Sequence, residues 1–208
     1  MRKSLIAALL IIVGAMTARA QDHTDELAGT IGRTIIGDQT TSDTSIPFHT
    51  VHFGHGTSFE VNYAHRFRNL GWGALWLEVP AIFNPDEDLN YGANQIPSDY
   101  SSYFITPSAR LNLIPDMAIS PWVSFGGGVG HFAASKDLVF FGPNTGNRIK
   151  TTGVLQGGVG MDVRLPIHRL KFRFEARDDW SGAPPLNIDT GRSRQHNYYV
   201  AAGGVFRF

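Results

Sequence analysis

The chain contains no cysteine. No disulfide can staple it, no thiolate can hold a metal, and no cysteine follows a leader to take a lipid anchor. After residue 20, no segment stays apolar for the ~20 residues a membrane helix requires. If this chain crosses a bilayer, it does so with strands. Nor does one sign of charge prevail, since 18 Lys and Arg balance 18 Asp and Glu over 208 residues. That balance excludes the basic footprint of a nucleic-acid binder.

What is present begins with a leader. Arg2 and Lys3 precede the apolar run Leu5 to Val13, and Ala18-Arg19-Ala20 is a small-x-small cleavage site. The run is too short for a spanning anchor. The reading is a signal peptide over residues 1–20 and one domain over 21–208, starting at Gln21. Losing Arg2, Lys3 and Arg19 leaves the mature chain near −3.

The mature chain alternates apolar and polar residues with period two, bounded by turn residues. The clearest case is Leu170 to Trp180. Leu170, Phe172, Phe174, Ala176, Asp178 and Trp180 share one face, and Lys171, Arg173, Glu175, Arg177 and Asp179 share the other. A helix would mix these two sets, so the segment is a strand. The same pattern predicts strands over Ser58–Phe67, Gly73–Phe83, Ser102–Leu113, Pro121–Ala133, Thr152–Leu165 and Asn197–Phe208, with a weaker one over about Glu26–Ile36. In that first strand, Arg33 shares a face with Leu27, Ile31 and Ile35. A lipid-facing Arg at mid-membrane costs about 2–4 kcal/mol. Either Arg33 lies near a rim or the register breaks at Gly32.

The connections alternate in length. Links 68–72, 114–117 and 166–169 are tight; links 37–50, 84–100, 134–150 and 181–195 are long and rich in Asp, Asn, Ser, Pro and Gly. Both termini fall on the short side. This predicts an all-β fold, an eight-stranded antiparallel up-and-down transmembrane β-barrel with short turns in the periplasm and long loops outside. A soluble lipocalin-like barrel has the same strand number with the faces exchanged. The ending on Phe208, two residues after Phe206, favours the membrane version.

The leader, the eight amphipathic strands, the loop alternation and the terminal Phe together resemble the small OmpA/OmpX-like outer-membrane barrels of Gram-negative bacteria, over the whole mature chain. The resemblance implies an outer-membrane location with outer-membrane lipids as its surroundings. Gly203, Phe206 and Phe208 resemble the C-terminal signal such families show to the barrel-assembly machinery, with a departure at Ala201, where a polar residue is usual. A fold resemblance of this kind implies location more than activity.

With apolar faces toward lipid, the lumen is expected to hold Arg66, Arg110, Arg164, Lys171, Arg173, Arg177 and Arg207 against Glu60, Glu78, Asp162, Glu175 and Asp179. Eight strands leave only side-chain width inside, so these charges must pair. Trp72, Trp122 and Trp180 are expected at the two membrane interfaces.

Each candidate site has a plainer structural explanation. Gly126-Gly-Gly-Val-Gly130 lacks the Lys-Ser/Thr of a phosphate loop and reads as a curved strand. His49, His52 and His55 alternate sides on an extended chain, which is poor ligand geometry. Pro85-Asp-Glu-Asp88 lacks calcium-loop spacing and reads as a solvated loop tip. His131 with Ser135, or His55 with Ser58, could supply a nucleophile and base for acyl chemistry on outer-leaflet lipid, but neither sits in a His-x-Ser-Asn run. The expectation is therefore no catalytic, cofactor or metal residue. The expected function is structural or surface-interactive through the long loops, with an extracellular partner. The alternatives are a lipid A-modifying enzyme and a narrow channel.

Overall fold

The computed structural model describes residues 24–41, 49–115, 117–167 and 169–208. The leader over residues 1–20 and the start at Gln21 lie outside them. The strands are β1 (Asp25–Ile36), β2 (Gln39–Thr40), β3 (Thr50–Phe53), β4 (Thr57–Asn69), β5 (Gly73–Asn90), β6 (Asp99–Ile105), β7 (Ser108–Leu113), β8 (Ile119–Ala134), β9 (Ile149–Arg164), β10 (Leu170–Gly182) and β11 (Arg194–Arg207). β2 and β3 pair as a small hairpin inside the first long connection. β6 and β7 are two parts of one stave. The wall therefore has eight antiparallel staves, in the order β1, β4, β5, β6–β7, β8, β9, β10, β11, and β11 returns to β1.

Closure is continuous along β1. Glu26 lies opposite Arg207, and pairing runs unbroken to Ile36 opposite Asn197. Phe208 carries the ladder one step further: its N–H donates to the Asp25 carbonyl at 2.9 Å, and its carbonyl accepts from the Asp25 N–H at 3.1 Å. In lipid an unpaired edge has no water to satisfy it, so this seam completes the structure.

The stave β6–β7 breaks where prolines interrupt the ladder. The Thr106 N–H donates to the Pro80 carbonyl and the Gly127 N–H to the Pro107 carbonyl, both at 3.2 Å. Neighbouring β8 answers with glycine. A Cβ on Gly128 would collide with the Ile105 carbonyl, and one on Gly126 with the Pro107 carbonyl. The glycine run is thus a close-packed part of the wall.

One sequence expectation changes, and one open alternative is decided. β5 continues past Phe83 to Asn90, so its 18 residues span about 60 Å at ~3.3 Å each, far more than the 9–11 residues a bilayer needs. Pro85 to Asp88 therefore stands on a strand and not on a loop tip. Glu87 is buried there and accepts from the Gly56 N–H at 3.2 Å and from Asn84 Nδ2 at 2.8 Å. Leu89 drives this extension, because it pairs with Phe53 of β3 and buries itself. At Arg33 the register holds through Gly32. Arg33 is exposed on the outer face opposite Thr57, the first residue of β4, toward the long-loop end.

The β1–β11 seam gives a contrast between adjacent glycines. A Cβ on Gly203 would collide with the Gly29 carbonyl, whereas Gly204 has open space. Gly203→Ala should destabilise the folded barrel by about 1–3 kcal/mol, in the range of overpacking. Gly204→Ala should leave it within error of the parent. Urea unfolding in lipid vesicles checks this, and equal midpoints for the two variants would contradict the seam geometry.

Candidate functional site

The apolar side of the wall faces out. Ile31, Phe59, Val61, Leu77, Val79, Phe83, Val123, Phe125, Val159, Phe174 and Val200 are exposed, and their neighbours of opposite parity are buried, or half-buried at Gly32, Gly126 and Gly160. The polar side faces in, toward a lumen too narrow for anything but side chains.

The half of the lumen near the short turns is an ion-pair network centred on Glu26. Its carboxylate pairs with Arg110, with Arg207 at 2.5 Å and with Arg173 at 3.7 Å. Arg173 also grips Asp162 with two bonds, at 2.7 and 3.0 Å. One layer further up, Arg177 meets Glu78 at 2.9 Å, Glu60 at 3.0 Å and Glu175 at 3.1 Å. Thr30 donates to Glu175 at 2.8 Å. Two indoles fill the space between these cations. Trp76 has Arg110 and Arg207 each at 5.1 Å, and Trp122 has Arg173 at 5.1 Å and Arg177 at 5.2 Å. Desolvated cation–π contacts of this kind contribute up to about 2 kcal/mol each.

The half near the long loops is built differently. Ile82, Leu89, Tyr91, Ile96, Tyr100, Phe104, Phe132, Val154 and Leu186 form one buried apolar cluster with Val51 and Phe53. Phe132 packs edge-on against Tyr100 and Phe104, with ring centroids 5.8 and 5.7 Å away. All four long connections join it or brace it. The Val139 N–H donates to the Ile96 carbonyl at 3.1 Å, Asn187 Nδ2 to Asn144 Oδ1 at 2.8 Å, and Thr41 Oγ1 to the Asp189 carbonyl at 3.0 Å. The described parts of the four loops therefore form a single packed cap over the mouth. Beside this cluster, toward the long-loop ends of β1 and β11, a neutral polar chain is buried, in which Gln39 donates to Gln195 at 2.8 Å and Gln195 to Asn197 at 2.7 Å.

No protein-family model and no curated protein sequence matches the chain. Among solved structures it is similar to Neisserial surface protein A (NspA), with 11% identity and a TM-score of 0.55, over 91% of this chain and 100% of that one. It is also similar to the outer membrane protein OprG from Pseudomonas aeruginosa, with 10% identity and a TM-score of 0.56, over 89% and 96% of the two chains. At these identities the likeness concerns the fold. Joined to an apolar exterior and a charged lumen, it decides between the two barrel types. The chain has the fold of the eight-stranded outer-membrane β-barrels. The lipocalin-like arrangement, with apolar residues inside and charge outside, is inverted relative to what the wall shows. The outer membrane protease OmpT from Escherichia coli superposes less well, with 9% identity and a TM-score of 0.44 over 89% and 97% of the chains, and carries no argument about activity.

Within the barrel, the flagged residues fall apart as sites. His131 lies on the outer wall, stacked on Tyr103 at 4.9 Å, and its Nδ1 bonds Thr151 Oγ1 at 2.8 Å. Ser135 Oγ accepts from the Asp137 N–H at 3.3 Å and is not joined to His131. Ser58 is buried and bonds Thr34 Oγ1 at 2.6 Å, while His55 is exposed. His52 is exposed and bonds Asp38 at 2.7 Å. Arg66 and Arg164, expected inside the lumen, stand at the short-turn mouth, half-buried and exposed respectively.

Trp72 and Trp180 are exposed at opposite ends of the barrel, and the Arg194 guanidinium lies 4.5 Å over the Trp180 ring. Trp122 corrects the interface expectation, because it is buried in the lumen. Parity carried the signal: if Val123 and Phe125 face lipid, Trp122 must face in. The same rule places Trp76 inside, opposite in parity to Leu75 and Leu77. It also places Glu26 inside with Thr30 and Thr34, the hub that the sequence reading left out.

Two measurements check this interior. Glu26→Gln leaves three arginines short of a counter-charge, and should cost on the order of 3 kcal/mol in a vesicle unfolding experiment. Glu175→Gln should also cost more than the exposed Asp86→Asn; an Asp86→Asn loss as large as either would refute the hub. In bilayers doped with brominated lipid, quenching should come from Trp72 and Trp180. A Trp72→Phe/Trp180→Phe variant should keep bright emission that lipid bromine does not quench.

Proposed function

We propose that this protein is a closed, non-catalytic barrel that serves the cell surface through its cap. The observation that carries the reading is the locking of the described parts of all four long connections into one packed body over a filled lumen. Such a cap presents a fixed surface for recognition. Its tip is built accordingly. The Asn94 side chain accepts from the N–H groups of Phe140 at 3.1 Å and Phe141 at 3.3 Å, and donates to the Phe141 carbonyl at 2.7 Å. Two aromatic rings, 59% and 75% exposed, are thereby held out on a braced turn. An extracellular partner engaging this tip is the binding event we assign to the protein.

In this reading the long loops lie outside and the short turns in the periplasm, as in other barrels of this type. Phe206 and Phe208, stacked at 6.0 Å beside the closing seam, are the signal offered to the barrel-assembly machinery. The lipid A-modifying alternative has little to stand on, since His131 is committed to Thr151 and Ser58 to the lumen. The channel alternative must route ions past paired arginines and then past an apolar plug.

The cap reading is tested by transplanting the four long connections onto an unrelated eight-stranded barrel and measuring adhesion to host or environmental surfaces. Activity should travel with the graft, fall with Asn94→Ala, and be indifferent to Ser135→Ala. A lipid-hydrolysing activity lost in Ser135→Ala would overturn it. Protease added to whole cells should cut in the long connections before Asn69–Gly71. Phe208→Asp should lower the amount of heat-modifiable, folded protein. Planar bilayers should record no large stable conductance from the purified barrel.

A further inference from the structure

Beneath the Glu26 hub, the lumen opens at the short-turn end into a cavity of about 430 Å³. Its lining carries four cations: Arg164 at the end of β9, Arg169 in the turn, Lys171 near the start of β10, and Arg207 at the end of β11. The carboxylates nearest in the network are already engaged. Glu26 is shared among Arg110, Arg173 and Arg207, and Asp162 is held by Arg173. Lys171 is only 7% exposed, and its Nζ has no hydrogen-bond partner among the described residues. Among the described residues, the Lys171 ammonium shares Glu26 and Asp162 with the arginines and has no carboxylate to itself, so positive charge is in excess at this mouth.

Arg169 stands at the rim of this cavity, in the turn before β10. Its φ is 69°, in the left-handed region where glycine is the ordinary occupant of a tight turn. Its carbonyl accepts the Arg207 N–H at 3.0 Å, which fixes the turn against the closing strand.

We propose that this mouth is a binding site for a phosphate ester. A tetrahedral dianion or phosphodiester offers several oxygens at once, which suits guanidinium forks at the rim, with the buried Lys171 ammonium behind them adding to the positive potential. The remaining lining, Leu165, Pro166, Ile167 and Leu170, is apolar and suits the organic substituent of an ester more than a bare ion. The phosphate comes either from an anionic phospholipid headgroup of the adjacent leaflet or from a soluble phosphate ester. The site is independent of what the cap binds.

The experiment uses the full mature barrel and the variants Lys171→Gln and Arg169→Ala; the second lies on an exposed turn and preserves a folded comparison if the first does not fold. In neutral detergent, inorganic phosphate should raise the thermal midpoint of the parent beyond chloride at equal ionic strength. Each variant should bind phosphate at least about tenfold more weakly. In nanodiscs of phosphatidylcholine with and without phosphatidylglycerol, native mass spectrometry then separates the two sources. Retained phosphatidylglycerol that is lost in both variants and displaced by phosphate identifies the lipid headgroup. Phosphate binding with no phosphatidylglycerol retention identifies a soluble ester. Equal responses of parent and variants, or equal effects of chloride and phosphate on the parent, would overturn the site.

Discussion

Everything in this structure depends on the closure of β11 against β1. A sheet in lipid cannot leave an edge unpaired, and eight staves are few enough that closing the sheet leaves an interior of side-chain width. The seam therefore fixes what the inside must be. Glu26, on the first strand, sits beside Arg207, on the last, and their ion pair joins the two ends of the chain through the lumen as the backbone ladder joins them through the wall. Close approach at the seam explains Gly203, and the need for inward charge to be neutralised explains why Arg110, Arg173 and Arg207 converge on one carboxylate.

The lumen is filled by two kinds of chemistry. Near the short turns, arginines, carboxylates and two indoles pack as a charged solid; near the long loops, aliphatic and aromatic side chains pack as in a soluble core. The first resists hydrophobic solutes by desolvation cost and the second resists ions for the same reason. Conditions that weaken one, such as high salt acting on ion pairs at the mouth, leave the other intact.

The sequence made the wall readable because a period of two is a local property. Leu170 to Trp180 shows its two faces within eleven letters, and the terminal Phe208 shows where the chain zips shut. The errors are of two kinds. Trp122 and Glu26 were legible and were misread, because a Trp was assigned by residue type and a weak first strand was read only for its apolar face. The cap was not legible. Tyr91, Ile96 and Leu186 are isolated apolar residues in polar connections with no periodicity, and they become a core only when four distant loops meet. Pro85 to Asp88 looked like a loop for the same reason: what holds it in a strand is Leu89 against Phe53, a contact with no sequence pattern.

β5 runs from one end of this arrangement to the other, and its outward face changes character on the way. Its inward side mixes Trp76, Glu78, Ile82, Asn84, Glu87 and Leu89 throughout, but its outward side carries Leu77, Val79 and Phe83 below and Asp86, Asp88 and Asn90 above. One strand therefore obeys two opposite solvents, lipid below and water above. The point of exchange is a fixed mark along the chain. The height at which the protein rides in the membrane is thus written into the outer face of a single strand, and sinking by one turn of the alternation would put charge in oil on the outside.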